Sequence, residues 1–476
     1  MKNLDLEISN LRGNKMSEQK IMSIVSIPLK TEIWQNDVIF KRFEMCRKIY
    51  NVMLGYELKQ YKKMKNTKEY SDSLKTIYDI YKLPEKDKKI AKRSDEYKKA
   101  TETQNQLMRD YGFSEFQFRA EAIKRASYFK ENIPSVSASD SIGATMWSAF
   151  EKMFFDNGRI VHYKKYDSWK SISSNGKSGL RIVNETNKTL LHGISDKMYL
   201  LFGVRPYKVL RIPLKVDKKD LYKLEMLDRD FKVVRLTRKK VRGTYKYYVQ
   251  LTVVGAPAVR YSKTGEQVHK IGTDKIGVYI DTRTITISNK DKVFTKDISF
   301  GNDDIEAKVT ALQQYMEHSR RATNPDNFNA DGTIKKGLWK DGQRVRLTWK
   351  FSNGYKKAKD ELANILRVKA EQRKLRNTIL ANEVLSYGSE IIVNDYPFQA
   401  AAMRKKKDEL TEKGTPASKA KAGKVIGENA PADIVLMIDT KLKGAGYQGV
   451  QKEKLSSIDY QKDKYREFYA NEMRRK

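Results

Sequence analysis

Apolar and polar positions alternate with three different rhythms along this chain, and the changes of rhythm mark its parts. Residues Ile24 to Lys30 (IVSIPLK) read as a strand bounded by charge, and Pro28 places that strand at the edge of a sheet. From residue 36 to residue 153 apolar side chains recur three and four positions apart with Lys and Arg between them. KRFEMCRKIYNVMLGYELKQYKKMK, FQFRAEAIKRASYF and ATMWSAFEKMF all carry this period, which predicts amphipathic helices with a basic outer face. The charged stretch LPEKDKKIAKRSDEYKKATETQ between them reads as a solvated helical surface or connector. Between Gly179 and Val254 the rhythm becomes that of strands, in LRIVNE, YKVLRIPLKV, FKVVRLTRKKV and YKYYVQLTVV. A small antiparallel barrel is the packing these short strands predict, with a hairpin turning at Arg242 and Gly243.

From Ile271 onward a third organisation follows. The strands KIGVYIDTRTITIS and KVFTKDISF precede long helical patterns from Glu306 to Leu385, and a buried strand, SEIIVNDYPF, closes the series. Strands, helices and a late strand predict an α/β layer. A Lys-, Ala- and Gly-rich segment after Pro397 reads as flexible, and DIVLMIDTKLKGAG as a last helix before a short tail. The expected fold class is multidomain α+β. Its parts are a polar leader at 1–20, a first strand region at 21–35 and a helical domain at 36–178. A β-barrel at 179–265 and an α/β domain at 266–476 follow, the latter with a basic helical insertion at 306–385.

Charge then narrows the function. The chain has 476 residues, with 95 Lys and Arg against 59 Asp and Glu, a formal net charge of +36. That excess is beyond what solubility needs and points to a polyanionic partner. No apolar run approaches the roughly 20 residues of a membrane span, and MKNLDLEISNLRGNKMSEQK has no hydrophobic signal core. The expected setting is therefore intracellular, with no membrane partner. Cys46 is the only cysteine, which excludes a disulfide framework and a multi-cysteine zinc ribbon; its helical context predicts a small core residue. His162, His192, His269 and His318 show no ligand spacing.

Two stretches are candidate binding sites. In the predicted hairpin, Arg235, Arg238, Lys239, Lys240, Arg242 and Lys246 interleave with Tyr245, Tyr247 and Tyr248. Cations for phosphates and flat rings for bases suit single-stranded RNA; an ordinary hairpin with one solvated face is the alternative. In the helical insertion, the loop ATNPDNFNADGTIKKG is flanked by Arg320, Arg321, Lys335, Lys336, Lys340, Arg344, Arg346 and Lys350. This is a loop suited to a polyanion backbone, read here as lacking an aromatic platform.

The order strand, Asp, strand in IGVYIDTRTITI, then a basic helical pair, then a late strand ending in an acidic position, resembles the RuvC-like nuclease half of TnpB proteins and of miniature, V-F-like type V CRISPR effectors. The preceding strand, helical part and barrel are similar to their wedge and recognition parts in the same order, so the resemblance runs from about Ile24 to Ile458. It implies an RNase H-like domain in which two aspartates and a glutamate hold two Mg ions for phosphodiester hydrolysis. Asp281 matches the first aspartate, followed here by Thr282 and Arg283, and a guanidinium beside that carboxylate competes with a metal. In IIVNDYP, Asn394 stands at the glutamate, while alternation along a strand turns Asp395 to the other face. The third carboxylate follows a four-cysteine ribbon in the family, which this chain lacks, and Asp459 matches only a non-catalytic position.

The resemblance thus implies a nuclease centre with no intact catalytic residue, needing neither zinc nor catalytic Mg. The implied partners are a guide RNA and target double-stranded DNA, with a sigma factor and RNA polymerase, and a second copy of the chain, as further ones. The implied role is guided DNA binding in transcription regulation within a bacterial cytoplasm, associated with the nucleoid. An active Mg-dependent RNA-guided endonuclease and a general RNA-binding protein are the alternatives.

Overall fold

The computed structural model describes residues 21–155, 160–193, 195, 197–203, 209–299, 303–335, 339–340, 343–344, 347–402, 422–455 and 464–476. The leader at 1–20, most of the segment read as flexible, Lys336, Arg346 and Asp459 lie outside the described residues, as do the side chains of Lys340 and Arg344. The chain is a mixed α+β protein in two compact units. The first runs to Lys239 and resumes over Tyr245–Ala258; the second holds Lys240–Thr244 and Val259–Lys476.

The first unit opens with β1 (Met22–Pro28), α1 (Ile33–Lys65), α2 (Lys68–Lys82), α3 (Glu85–Ala91), α4 (Asp95–Asp110), α5 (Glu115–Ala126), α6 (Ser135–Ala138) and α7 (Ala144–Phe155). The strands β2 (Ser171–Ser174), β3 (Leu180–Val183), β4 (Thr189–Leu190), β5 (Tyr199–Phe202) and β6 (Leu210–Pro213) follow, then α8 (Leu221–Leu227), β7 (Phe231–Val241) and β8 (Thr244–Val254). In α1 the buried Ile39, Phe43, Cys46, Tyr50, Met53 and Leu54 follow the helical period, and burial pushes the Cys46 thiol up. Thr67, Ser94 and Ser114 cap α2, α4 and α5 by accepting the N–H three residues on.

Two antiparallel sheets, in the orders β1-β8-β7-β2 and β4-β3-β5-β6, make the β part. Pro28 lies on the edge strand β1, where its missing N–H is tolerated. Just past it the Lys30 N–H donates to the Pro213 carbonyl at 2.9 Å, which joins the first sheet to the second. The stretch 36–178 is not wholly helical, because β2 within it pairs with β7. Helical and β residues from Val25 to Ala258 contribute to one hydrophobic core.

The second unit holds β9 (Asp274–Ile280), β10 (Thr284–Ser288), β11 (Val293–Asp297), α9 (Asp303–Thr323), β12 (Trp339–Lys340), β13 (Gln343–Arg344) and α10 (Asn353–Tyr387). Then come β14 (Gly388–Asn394), α11 (Phe398–Ala402), α12 (Ala422–Asn429), α13 (Pro431–Gly444), β15 (Gln451–Glu453) and α14 (Tyr465–Arg475). Its main sheet has the order β11-β10-β9-β14-β15, antiparallel on the β11 side and parallel from β9 outward. Both faces are covered. Ile276, Val278 and Ile280 pack with Leu380 and Val384 of α10 and with Ile434, Ile438 and Leu442 of α13. On the other face Tyr279 packs with Tyr469 and Ala470 of α14. A β carbon at Gly277 would run into the Ala470 carbonyl, so this glycine lets α14 lie directly on β9. Among the described residues no helix is long and apolar enough to cross a membrane.

Candidate nucleic-acid interface and the carboxylate position

Asp281 leaves the end of β9 and makes the turn into β10. Its Oδ1 accepts the Arg283 and Thr284 N–H groups, each at 2.7 Å, and its Oδ2 accepts the Thr284 hydroxyl at 2.9 Å. Arg466, from the first turn of α14, adds its Nε at 2.9 Å from Oδ2. The carboxylate is thus a turn cap and half of an ion pair. The competing guanidinium is Arg466, whereas the exposed Arg283 gives Asp281 its backbone N–H.

Asn394 ends β14 beside it, 5% exposed. Its Oδ1 accepts the Ile280 N–H at 2.7 Å and its Nδ2 donates to the Ile280 carbonyl at 3.0 Å. This amide continues the β9–β14 pairing with one donor and one acceptor, which an ionised carboxylate cannot do. Asp395, the first residue past β14, is exposed, and its N–H donates to the Glu453 carbonyl at 2.7 Å. Asn429, 3% exposed, donates to the Thr282 carbonyl at 2.7 Å. Among the described residues the buried carboxylates are Glu44 and Glu57, both in the first unit, and no cluster of three His, Cys, Asp or Glu could hold a metal. A pair of Mg ions needs several free anionic oxygens; Asp281 is spent and Asn394 is a neutral strand clamp, so these residues do not fit that group.

The β7–β8 hairpin forms as expected, with positive φ at both turn residues, 48° at Arg242 and 80° at Gly243. Its cations separate into two classes. Arg235, Lys239, Lys240, Arg242 and Lys246 are exposed, with Arg235 Nε donating to Ser173 Oγ at 3.0 Å. Lys240, at the tip grouped with the second unit, pairs with Asp360 at 2.7 Å. Arg238 and Tyr245 depart from the expected RNA face. Arg238 is 4% exposed, lies 3.0 Å from Asp167 Oδ1, donates to the Trp169 carbonyl at 2.9 Å and faces the rings of Phe40, Phe43 and Tyr245. The Tyr245 hydroxyl donates to Asp167, and burial followed by that bond pushes the phenol up. Both residues serve a buried ionic network.

The insertion loop also differs from expectation, because it does carry aromatic rings. Phe328 and Trp349 meet edge-on at 5.7 Å, Arg320 lies 5.0 Å over Trp349, and Arg321 lies 5.1 Å over Phe328. Glu317 holds both arginines, at 2.6 and 3.0 Å, and the Arg320 bond is the main cause of its lowered pKa. Asn324, 7% exposed, exchanges two hydrogen bonds with the Lys350 backbone and closes the loop. Lys335 and Lys350 are exposed. Replacing these two lysines with alanine is expected to weaken RNA of any sequence similarly and to flatten log K against log salt by roughly 0.7 to 0.9 per phosphate contact. An unchanged slope in that titration would show the face to be merely solvated.

No family model matches the chain, and no curated protein matches it in sequence. Among solved structures it is similar to a Cas12f1–sgRNA–target DNA complex, at 9% identity and a TM-score of 0.40 over 95% of this chain and 94% of that one. A CRISPR-Cas12f ternary complex is similar at 12% identity and a TM-score of 0.28, over 93% and 76%. A Cas12i1 R-loop complex before target DNA cleavage is similar at 9% and 0.26, over 89% and 55%.

Proposed function

We propose that the chain binds a guide RNA and the double-stranded DNA matched to it, and leaves that DNA uncut. The observation that carries the second half is the state of Asp281, whose oxygens are filled by two backbone N–H groups, a hydroxyl and Arg466. Asn394, bonded through both amide ends to Ile280, supports the same reading. The five-stranded mixed sheet with helices on both faces supports an RNase H-like, RuvC-type layer. The net charge of +36, the five exposed hairpin cations and the insertion loop support a nucleic-acid partner. In such a system base pairing supplies the specificity while protein contacts hold backbone and duplex.

Stable occupancy of a chosen site alters transcription: at a promoter it blocks initiation, and if it brings a sigma factor and RNA polymerase it raises it. The decisive experiment isolates the protein with its co-purifying RNA and offers matched and scrambled duplexes at millimolar Mg. Retention of the matched duplex alone, with no strand broken above the background of an Asp281→Asn control, is the expected result. Specific nicking above that control overturns the non-cutting half. Binding that ignores the guide sequence overturns the guided half and favours a general RNA-binding protein. Transcript levels beside the matched site, compared under matched and scrambled guides, then test the regulatory role.

A further inference from the structure

The sheet β4-β3-β5-β6 is dry on one face, where Leu180, Ile182, Leu200, Phe202, Leu210 and Ile212 are fully buried. Its other face carries an unusual row. Arg181 pairs with Leu201, and Leu201 with Arg211, so two arginines flank one leucine across three adjacent strands, roughly 10 Å apart. Arg211 is held in place: its guanidinium carbon lies 3.7 Å from the centroid of the Tyr199 ring, and Nη2 donates to the Glu185 carbonyl at 2.9 Å and to the Asn184 carbonyl at 3.4 Å. Those two bonds use the Nη2 hydrogens, which leaves Nε and Nη1 as the fork's donors toward a ligand. The Arg181 Nε is buried and has no hydrogen-bond partner. A cavity of about 650 Å³ opens over this row, lined also by Lys177, Ser178, Asn187 and the backbone of Gly179 and Gly203. No carboxylate is among its described lining residues, and the nearby Glu185 side chain is engaged 2.7 Å from Lys197.

Three cations around a cavity without an acid have no internal reason to converge, because like charges repel and a buried, unbonded guanidinium N–H is unfavourable. An anion resolves both. We propose that this cavity is a phosphomonoester site, taking the terminal phosphate of a nucleotide or of a nucleic-acid strand. A phosphomonoester carries about −1.5 to −2 charges at neutral pH, against −1 for a backbone diester. Arginine forks bond such an anion two oxygens at a time. Ser178 and Asn187 supply neutral donors. The volume falls within the range of small-ligand sites, roughly 300 to 1,000 Å³. The site stands apart from guided DNA reading and from Asp281, so its test does not depend on either.

The test measures the affinity of the full chain for two labelled single-stranded oligonucleotides by fluorescence anisotropy. One is 5′-phosphorylated; the other is 5′-hydroxyl and two nucleotides longer, which matches total charge. The expected result is about tenfold tighter binding of the phosphorylated probe, the effect of one or two charge-assisted hydrogen bonds. That preference is expected to fade as pH falls through about 6, where the phosphate gains a proton. Arg181→Gln and Arg211→Gln are each expected to remove most of it, and Arg181→Lys to restore part. Lys177→Gln, in an exposed turn, is expected to reduce it without disturbing the sheet, and thermal melts check that each variant is folded. Displacement of the phosphorylated probe by AMP at similar concentration would assign the site to free nucleotides, and failure of AMP to displace it would assign the site to strand ends. Equal affinity of the wild-type chain for the two probes overturns the proposal, as does a preference that survives in folded Arg181→Gln and Arg211→Gln.

Discussion

Replacing Arg238 with alanine is expected to destabilise the first unit by about 3 kcal/mol, the low end for breaking a buried ion pair from one side. The low end applies because Arg238 is 1% exposed in its side chain whereas its partner Asp167 keeps 29%. The loss has three parts. Asp167, which also receives the Tyr245 hydroxyl, keeps its charge without the guanidinium; the Trp169 carbonyl loses its donor; and a void opens among Phe40, Phe43 and Tyr245. For a unit of this size such a loss lowers the melting temperature by roughly 6 to 12 °C. Lys239→Ala, one residue along and solvent-facing, is expected to stay within about 0.5 kcal/mol. Thermal unfolding of the two variants side by side checks this. An Arg238→Ala protein as stable as wild type but poorer in RNA binding would return Arg238 to the nucleic-acid face.

The second large effect is expected at Asn394. Asn394→Asp keeps shape but replaces the Nδ2 donor with an oxygen facing the Ile280 carbonyl, at a position 5% exposed. Protonated, the new carboxyl restores the donor; ionised, it sets two acceptors against each other in a buried place. Its folded-state pKa is therefore raised above the unfolded value, which for aspartate is about 3.9. The sign follows from linkage. The variant is close to wild type below the unfolded pKa and loses stability as pH rises from there through the raised folded pKa. At pH 7.5 the deficit is expected to reach about 2 to 3 kcal/mol, the penalty of an unsatisfied buried charged group. Unfolding free energies of variant and wild type, differenced at each pH from 5 to 8, measure it. A deficit that does not change with pH would show that Asn394 makes no such clamp. The same geometry means that adding back a carboxylate here does not rebuild a metal site, because the new charge would meet a carbonyl on one side and the Asp281–Arg466 pair nearby.

Where the sequence reading and the structure agree, a local rule decided the outcome. The period of Ile39, Phe43, Cys46, Tyr50 and Met53 dictates a buried helical stripe, and Gly243 between two strand-patterned runs marks the hairpin, where Arg242 takes positive φ as well. Arg238 shows a readable signal passed over. Val234, Leu236 and Arg238 share one parity along β7, so the strand period that buries the first two buries the arginine as well, while Arg235 and Lys239 take the wet face. Alternation does not account for Asn394 and Asp395 in the same way, because Ile391 to Asn394 are all buried in a sheet covered on both faces and Asp395 is exposed just past the strand end. Arg466 gave no such signal. It meets Asp281 across 185 residues, through a helix whose seat on β9 depends on Gly277, and no local period reports a contact of that kind. The rings beside Arg320 and Arg321 were visible as Phe328 and Trp349, but only closure of the loop by Asn324 brings Trp349 back to the arginines.

The pairing of β1 with β8 has a kinetic consequence. Met22 lies opposite Val254 and Pro28 opposite Tyr248, and the Ser23 hydroxyl reaches the Gly255 carbonyl 232 residues further on. At synthesis rates of about 5 to 20 residues per second, the first strand waits roughly 10 to 45 s for β8, its hydrogen-bonded neighbour in the sheet, to emerge. Throughout that interval Val25 and Ile27, which end fully covered, belong to a strand without its ladder, exposed to the ribosome's surroundings. A nascent chain stopped before Thr244 therefore carries β1 without its partner, an unpaired strand open to a chaperone or to a neighbouring chain.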